Sequence, residues 1–539
     1  MQLMRNRSVF VLLLILLIGL LTVPAYGAHL DQGSEQRILF SNIKEYLLHI
    51  PNGKNMQLVQ DMTDLQVLEI SIDEDRDHGI AIYYPIFFLW WVNQNAPYWG
   101  SVIWHIYTFL LVFFGMCSLF FLGKELFENE GLAVFTVLLF ILTPRMFAES
   151  HYNDKDMVLL SLVFCVFYQM LRLMRTKSWN AVFMFALAGA LAANLKIIGI
   201  WIFGVAGLYV LFYFIASGQY DKKLAGKTVS CILLFFGLFI LLTPACWNQM
   251  GDYLSYLYHN AVDYDLWHDY VLFQGRMIHR DYTGMPKKYL PVLILLTTPV
   301  IILLLSIIGV LNLNVRLIRS RFKALWEREG FLLAVLLACG VPLAYAVLSA
   351  TPLYNGWRHF YFVYASIILI AGYGARKLWE FAQKHRKEKI AIGSGLVYLC
   401  ALAVGIACNY PQEHCYYNIL AGNNVAENYE LDYWDMSVKQ AYEMILKQTE
   451  EAVCSVGALN LPTLWGLDGQ LKVLPAKDRV RFNIAEEWTH AEYLIVNTSY
   501  AFMYSGEDYQ SVKENYEFLG SISSYGNVIC EVYAKGETD

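Results

Sequence analysis

Charge is what this chain has least of. Only 16% of its 539 residues are Asp, Glu, Lys or Arg, where a soluble chain of this length carries about a quarter. An ordinary water-soluble fold is thereby excluded. Positive charge is in no surplus: 40 Lys and Arg stand against 46 Asp and Glu, a net charge of −6. The electrostatic footprint of a nucleic-acid binder is missing, and no nucleic-acid partner is expected. The ten cysteines form no CxxC pair and no Cys/His spacing of a zinc site. Most lie inside apolar runs, where cysteine acts as a small filler; Cys454 and Cys530 stand in a more polar stretch and are the candidates for a disulfide. "LAGKT" at 224–228 ends like a phosphate loop, but no earlier glycine has Walker spacing. No internal repeat pairs two halves of the chain, as it does in many transporters.

What the chain has instead is hydrocarbon. Hydrophobic types make up 57% of it, in runs of roughly 20 residues, long enough to cross a bilayer. The runs lie near 8–28, 100–122, 131–145, 157–172, 179–194, 197–216, 229–246, 289–312, 331–350, 359–375 and 390–408. The expected fold class is a polytopic α-helical membrane protein with about eleven spans. The first run follows Arg5 and Arg7 and ends at Ala25-Tyr26-Gly27, which also fits a cleavage site; a retained first helix is the expectation.

The loops alternate in composition. One set carries Arg172, Arg175 and Lys177, then Lys222, Lys223 and Lys227, then Arg316, Arg319 and Arg321, then Arg376, Lys377 and Lys384. Its Lys and Arg excess marks it, with the N-terminus, as cytoplasmic. The other set holds residues 29–99, 143–157, 194–196, 247–288, 351–359 and all after about 409, and is expected to face outward from the plasma membrane. Residues 1–408 are then the transmembrane unit, with 29–99 its first external loop and surface helices, and 409–539 an external C-terminal α/β domain. In that last part "SVKQAYEMILKQTEE" reads as a helix, and "AVCSVGAL", "AEYLIVNT" and "NVICEVYAK" read as strands.

The few ionisable groups are not spread evenly. "TPRMFAESHYNDKDM", residues 143–157, puts Arg145, Glu149, His151, Asp154, Lys155 and Asp156 between two apolar runs. Charges beside hydrocarbon must face water or do chemistry. "DQGSEQRILFSNIKEYLLHI" has the spacing of an amphipathic surface helix; Asp31 and Glu35, four apart, share one face of its start. Acids also suit a helix start as caps. "SIDEDRDHGIAIYYP" crowds Asp73, Glu74, Asp75, Asp77 and His78 into either a hydrated turn or part of a site. Lys196 in "NLKIIG" and Arg358-His359 in "YNGWRHFYFVY" stand at helix ends; for Arg145 and Lys155 the alternative is lipid-headgroup anchoring, and for Arg358 among its aromatics a purely structural cluster. All fall in the external loop set, so they are expected to line one water-accessible site.

Taken in order, these segments resemble the C-type membrane glycosyltransferases, nearest to family 39, which includes protein mannosyltransferases and the aminoarabinose transferases of lipid A. The resemblance covers most of residues 9–435. It takes in Asp31 and Glu35 after the first helix, "DRDHGIAIYYP", "PRMFAESHYNDKD" ending in Asp156, Lys196, and the later "LFQGRMIHRDYTGMPKKYLPVLILLTTP", "YNGWRHFYFVY" and "YPQEHCYYNILAG". Better-known members carry a contiguous Asp-Glu in the first loop. Here Asp31 and Glu35 are separated, and the contiguous Asp73-Glu74 lies far from the first helix.

The resemblance implies transfer of a hexose or pentose from a polyprenyl-phosphate donor to a hydroxyl of a lipid, glycan or protein acceptor. Chemistry supports it independently, since an outward-facing transferase lacks nucleotide sugars and needs a donor that crosses in the membrane. Asp31 is expected to be the base with Glu35 supporting, and Asp75 or Asp77 is the alternative. His78, Arg145, Asp156, Lys196, Arg358 and His359 are expected to bind substrate, the cations by stabilising a leaving phosphate. No cofactor is required by this scheme; a divalent cation held by Asp156 stays open. The competing reading is a transporter or flippase for a polar or lipid-linked substrate.

Overall fold

The computed structural model describes residues 2–72, 74–262, 268, 270–449, 451–503 and 506–536. Asp73 lies outside the described residues. Among those described, eight helices are long and apolar enough to cross a membrane: Arg7–Ala25, Pro97–Phe127, Asp156–Thr176, Ile198–Ala216, Lys222–Leu242, Val300–Arg319, Arg328–Ser349 and Glu388–Asn409. A bent pair, Glu130–Ile141 with Pro144–Tyr152, makes a ninth if counted as one span, and Trp179–Leu195 is a shorter apolar helix.

Three of the apolar runs are broken, for local reasons. Run 131–145 turns by 74° between Ile141 and Pro144, because proline has no N–H to continue a helix and is suited to start one. Run 289–312 divides into Tyr289–Thr297 and Val300–Arg319 at Pro299. Run 359–375 opens as a tight 3-10 turn, Arg358–Val363, before the helix Tyr364–Lys384. Short polar caps begin several of the helices: Asn129 accepts from the Leu132 amide at 3.1 Å, Ser178 from Ala181 at 3.2 Å and Asp221 from Leu224 at 2.8 Å.

Burial separates centre from perimeter. In the Asp156–Thr176 helix 78% of the apolar window is buried, against 22% in Lys222–Leu242 and 17% in Glu388–Asn409. The perimeter exposes Phe212, Leu233, Leu348 and Val397, a surface suited to lipid rather than water. Inside, Val300–Arg319 and Tyr364–Lys384 meet backbone to backbone. A Cβ on Gly374 would stand 2.0 Å from the Leu305 carbonyl oxygen, and one on Gly309 2.2 Å from that of Ile370. Small residues allow this approach. Gly374→Val is expected to destabilise the fold by roughly 1–3 kcal/mol through overpacking, read as a lower thermal midpoint in detergent; an unchanged midpoint would contradict the close contact.

The loops gather at two ends of the bundle. Glu128 pairs with Arg328 at 2.9 Å and with Arg376 at 3.4 Å, Lys227 reaches the Lys177 carbonyl, and Arg175 pairs with Glu125. These are the Lys/Arg-rich loops. At the other end residues 29–78, 153–156, 194–196 and 351–359 interlock through contacts described below. Residues 29–99 contain the expected helix, Gln32–His49, but its polar Gln32, Glu35, Asn42, Lys44 and Glu45 are buried against the bundle, so it is not the surface helix its spacing predicts.

A two-stranded hairpin, β1 (Tyr270–Phe273) and β2 (Arg276–His279), crosses the long loop. The C-terminal part forms a five-stranded sheet in the order β4-β3-β5-β7-β6. β3 (Cys454–Ala458) runs parallel to β4 (Phe482–Ile484) and to β5 (Tyr493–Asn497). β6 (Tyr516–Ser524) and β7 (Asn527–Lys535) form an antiparallel hairpin on the edge of β5. Helices Ser437–Gln448 and Leu461–Lys472 flank the sheet. Cys454 and Cys530 are both free. β5 lies between their strands, about 10 Å across, beyond the reach of a disulfide.

Candidate active site

The site is organised by the break between helices Pro144–Tyr152 and Asp156–Thr176. Asn153 Oδ1 accepts from the Asp156 amide at 2.8 Å and caps the second helix, while its Nδ2 donates to Glu149 at 2.7 Å. The next three side chains diverge to three partners. Asp154 Oδ2 accepts from Trp104 Nε1 at 2.8 Å and lies 3.1 Å from His29 Nε2. Lys155 Nζ donates to Glu35 at 3.1 Å. Asp156 pairs with Lys196, and its other oxygen lies 3.6 Å from Arg358 Nη1.

Arg358 then closes the ring. Its Nη1 donates to Asp31 Oδ2 at 3.2 Å, and Trp434 covers its guanidinium at 4.3 Å and Tyr354 at 5.3 Å. Asp31 occupies the N-cap position of Gln32–His49 yet makes no capping bond with its side chain. The capping reading of that acid is therefore not what its side chain does. Asp31, Asp156, Lys196 and Arg358, spread over more than 300 residues of sequence, meet in one cluster.

A second group adjoins it through Glu35. His78 Nδ1 lies 3.4 Å from Glu35 and 3.9 Å from Asp75, which in turn accepts from Arg37 at 2.9 Å. Burial alone would raise the Glu35 carboxyl; the Lys155 ammonium and His78 outweigh it and hold the group well below the usual carboxylate range. Burial pulls the Lys196 ammonium down, against the opposing pull of Asp156. Asp154 is raised by burial in spite of His29.

The depressed Glu35 pKa has a pH signature. Its stabilisation is whole above the unfolded carboxylate's pKa, about 4.3, and is lost as pH falls toward the lower folded value. Acidification from roughly pH 6 to 3 is expected to lower the thermal midpoint in part through this group. Glu35→Gln strands the buried Lys155 charge, costs about 3 kcal/mol at neutral pH, and flattens that part of the acid slope. A variant with the wild-type midpoint and slope would show that the pair contributes nothing.

Several buried atoms here have no hydrogen-bond partner: Glu35 Oε2, Asp156 Oδ2, Arg358 Nε and His359 Nε2. Buried polar atoms are nearly always paired, and these four lie together around the cluster. Exposure sorts the carboxylates. The Asp31 side chain is 47% exposed, that of Asp75 26%, and those of Glu35 and Asp156 2% and 1%. Asp31 is the most open to an incoming group.

Not every expected residue joins the cluster. Arg145 is buried in a separate network: its Nη1 donates to the Tyr433 hydroxyl at 3.0 Å and lies 4.0 Å from Glu149, which accepts from Tyr361 at 2.5 Å. Asp77 lies toward Tyr253 and Tyr256 of the helix Met250–Val262, with one oxygen buried and unpaired. His359 packs edge-on against Tyr354 at 4.9 Å, beside Arg358.

Other residues of the site gave no sequence signal of their role. Lys155 resembled a headgroup anchor and is instead a buried ion-pair partner. His29 and Trp104 carry no motif; only the proximity of His29 to Asp31 in sequence hints at it. Among the described residues no group of three or more His, Cys, Asp or Glu is arranged to hold a metal ion. The Asp156 carboxylate already faces two cations, Lys196 and Arg358, a donor set that does not fit a divalent metal.

Below the cluster lies an apolar cavity of about 200 Å³, lined by Ile82, Phe114, Val158, Leu162 and Leu191 among others. It follows the Asp156–Thr176 helix from Val158 to Gln169, about 16 Å of its length.

Among solved structures, the chain is similar to ArnT. The match to ArnT from Cupriavidus metallidurans in the apo state covers 98% of both chains at 12% identity, with a TM-score of 0.49. ArnT bound to undecaprenyl phosphate matches over 99% of this chain and 98% of that one, at 12% identity and a TM-score of 0.43. The Archaeoglobus fulgidus oligosaccharyltransferase in the apo form matches at 11% identity and a TM-score of 0.43, over 98% of this chain and 75% of that one. No protein-family model and no curated protein matches the sequence.

Proposed function

We propose that the chain transfers a sugar from a polyprenyl-phosphate donor to an acceptor hydroxyl at the external face of the plasma membrane. The observation that carries this reading is the cluster of a half-exposed carboxylate, Asp31, with two cations, buried Arg358 and partly buried Lys196, around one buried acid, Asp156. That is the equipment of a displacement with a phosphate leaving group.

In this reading Arg358 and Lys196 take up the charge that develops on the phosphate as the anomeric bond breaks, Arg358 by a fork and Lys196 as a point charge. Asp156 holds both cations in place. Donor phosphate competes with Asp31 for Arg358, which releases the Asp31 carboxylate to accept the proton of the acceptor hydroxyl. Phosphate is a good leaving group and needs no general acid, so one carboxylate suffices where a hydrolase uses two. A single displacement inverts the anomeric carbon. The apolar cavity beside Val158 is suited to the first isoprene units of the donor tail, and Glu35, Lys155 and His78 brace the helix that begins at Asp31.

The test is reconstitution. Purified protein is incubated with polyprenyl-phosphate-linked hexoses and pentoses and with lipid, glycan and peptide acceptors. Labelled sugar is expected in one acceptor class with an inverted anomeric centre by NMR. Uptake of a polar solute into proteoliposomes, with no transfer from any such donor, would favour a transporter and end the proposal.

A further inference from the structure

The segment that presents Asp31 is gripped from the C-terminal side of the molecule. Gln470 Nε2 donates to the Ala28 carbonyl at 2.6 Å, and its Oε1 accepts from the Ala28 amide at 3.1 Å. The same Nε2 donates to the Asp435 carbonyl at 2.9 Å. One turn earlier, a Cβ on Gly466 would stand 3.1 Å from Leu30. Residues 466 and 470 share one face of the helix Leu461–Lys472, so that face lies across Ala28–Leu30, immediately before Asp31. Lys439, from the helix Ser437–Gln448, donates to the Pro24 carbonyl at 2.5 Å and reaches that of Tyr26 at 3.5 Å.

The grip is itself braced. Asp435 Oδ1 accepts from Thr463 at 3.0 Å and from Asn497, at the end of β5, at 2.6 Å. Trp434 meets the His29 ring edge-on at 5.0 Å and lies over Arg358. Gln470 is fully buried and Lys439 is 5% exposed. Ala28 gives both its backbone groups, and Pro24 and Tyr26 their carbonyls, to side chains about 400 residues away. Such an arrangement fixes geometry, because either partner alone would leave buried polar groups unpaired.

We propose that Gln470 and Lys439 are positioning residues: the C-terminal helices clamp Pro24–Leu30 and so hold Asp31 at its working distance from Arg358. The rate consequence rests on the transferase reading; the clamp itself does not.

Two substitutions attack the clamp from opposite sides. Gln470→Leu removes its hydrogen bonds. Gly27→Ala places a Cβ 2.3 Å from Gln470 Oε1, which pushes the buried amide off the Ala28 backbone. Each is expected to lower kcat at least tenfold with donor KM unchanged, and the double variant to lose no more than the worse single one. Lys439→Met is expected to act likewise and Lys439→Arg to retain most of the rate, while Lys472→Met, on the exposed face, changes nothing. A second readout needs no turnover. In a Cys400→Ser/Cys408→Ser background, Ala28→Cys is shielded and reacts slowly with a water-soluble maleimide; adding Gln470→Leu is expected to speed labelling at least tenfold. Labelling that does not respond to Gln470→Leu would overturn the clamp. Faster labelling with kcat unchanged, or losses that multiply in the double variant, would overturn the positioning role. Labelling that responds in a protein that transfers no sugar would uphold the clamp and end the functional reading instead.

Discussion

Asp31→Asn is expected to lower sugar transfer by between about 10² and 10⁴, the range of a lost general base, while leaving the protein folded. The fold should survive because the side chain is half-exposed and contributes no capping bond to its helix. Arg358 keeps Asp156 as a partner in the variant. Donor KM should change little, since the base touches the acceptor. Asp75→Asn is the control: Asp75 pairs with Arg37 on the far side of His78, and its loss should cost far less. If Asp75→Asn carries the large effect and Asp31→Asn does not, the base has been assigned to the wrong carboxylate.

Arg358→Gln is the second large effect expected, a loss of about 10² to 10³ in transfer from removing one charge-stabilising donor. Here donor KM should rise as well, because the guanidinium would hold phosphate in the ground state too. Arg358→Lys should recover only part of the activity. Lysine supplies charge but neither the fork nor the flat surface that Trp434 and Tyr354 cover. Full activity in Arg358→Lys would show that a point charge suffices and that the stacked geometry is incidental.

Much of this site could be read from residue positions alone. Asp31, Asp156, Lys196 and Arg358 each stood at the end of an apolar run, where a charge needs a reason, and all fell in the loop set poor in Lys and Arg. What could not be read was pairing. That Lys155 meets Glu35 and Asp154 meets His29 depends on how helices far apart in sequence pack, and no local spacing encodes it. Arg145 illustrates the converse: it lies eleven residues from Asp156 and by position alone was as good a candidate as Lys196. The turn between Ile141 and Pro144 sends it instead into the Tyr433–Glu149 network.

The fold shows the same division. Apolar runs announced the spans, but their breaks at Pro144 and Pro299 were legible only as single prolines within hydrophobic text. In the C-terminal part β3, β5 and β7 announced themselves by β-rich apolar runs. The Leu461–Lys472 helix did not, since its small and polar residues Gly466 and Gln470 are those that face the chain before Asp31. Its composition reflects what it grips rather than a helix-forming pattern.

In the proposed function Arg358 and Lys196 form a phosphate site that Asp31 adjoins but does not build. Equilibrium binding of a short-chain polyprenyl phosphate to detergent-solubilised protein tests it without requiring the right sugar or acceptor. Arg358→Gln and Lys196→Gln are each expected to weaken binding at least tenfold, and Asp31→Asn to leave it unchanged or tighten it, because a competing negative charge is removed. Affinity that is indifferent to both cations, or that falls with Asp31→Asn alone, would contradict a phosphate site built by Arg358 and Lys196.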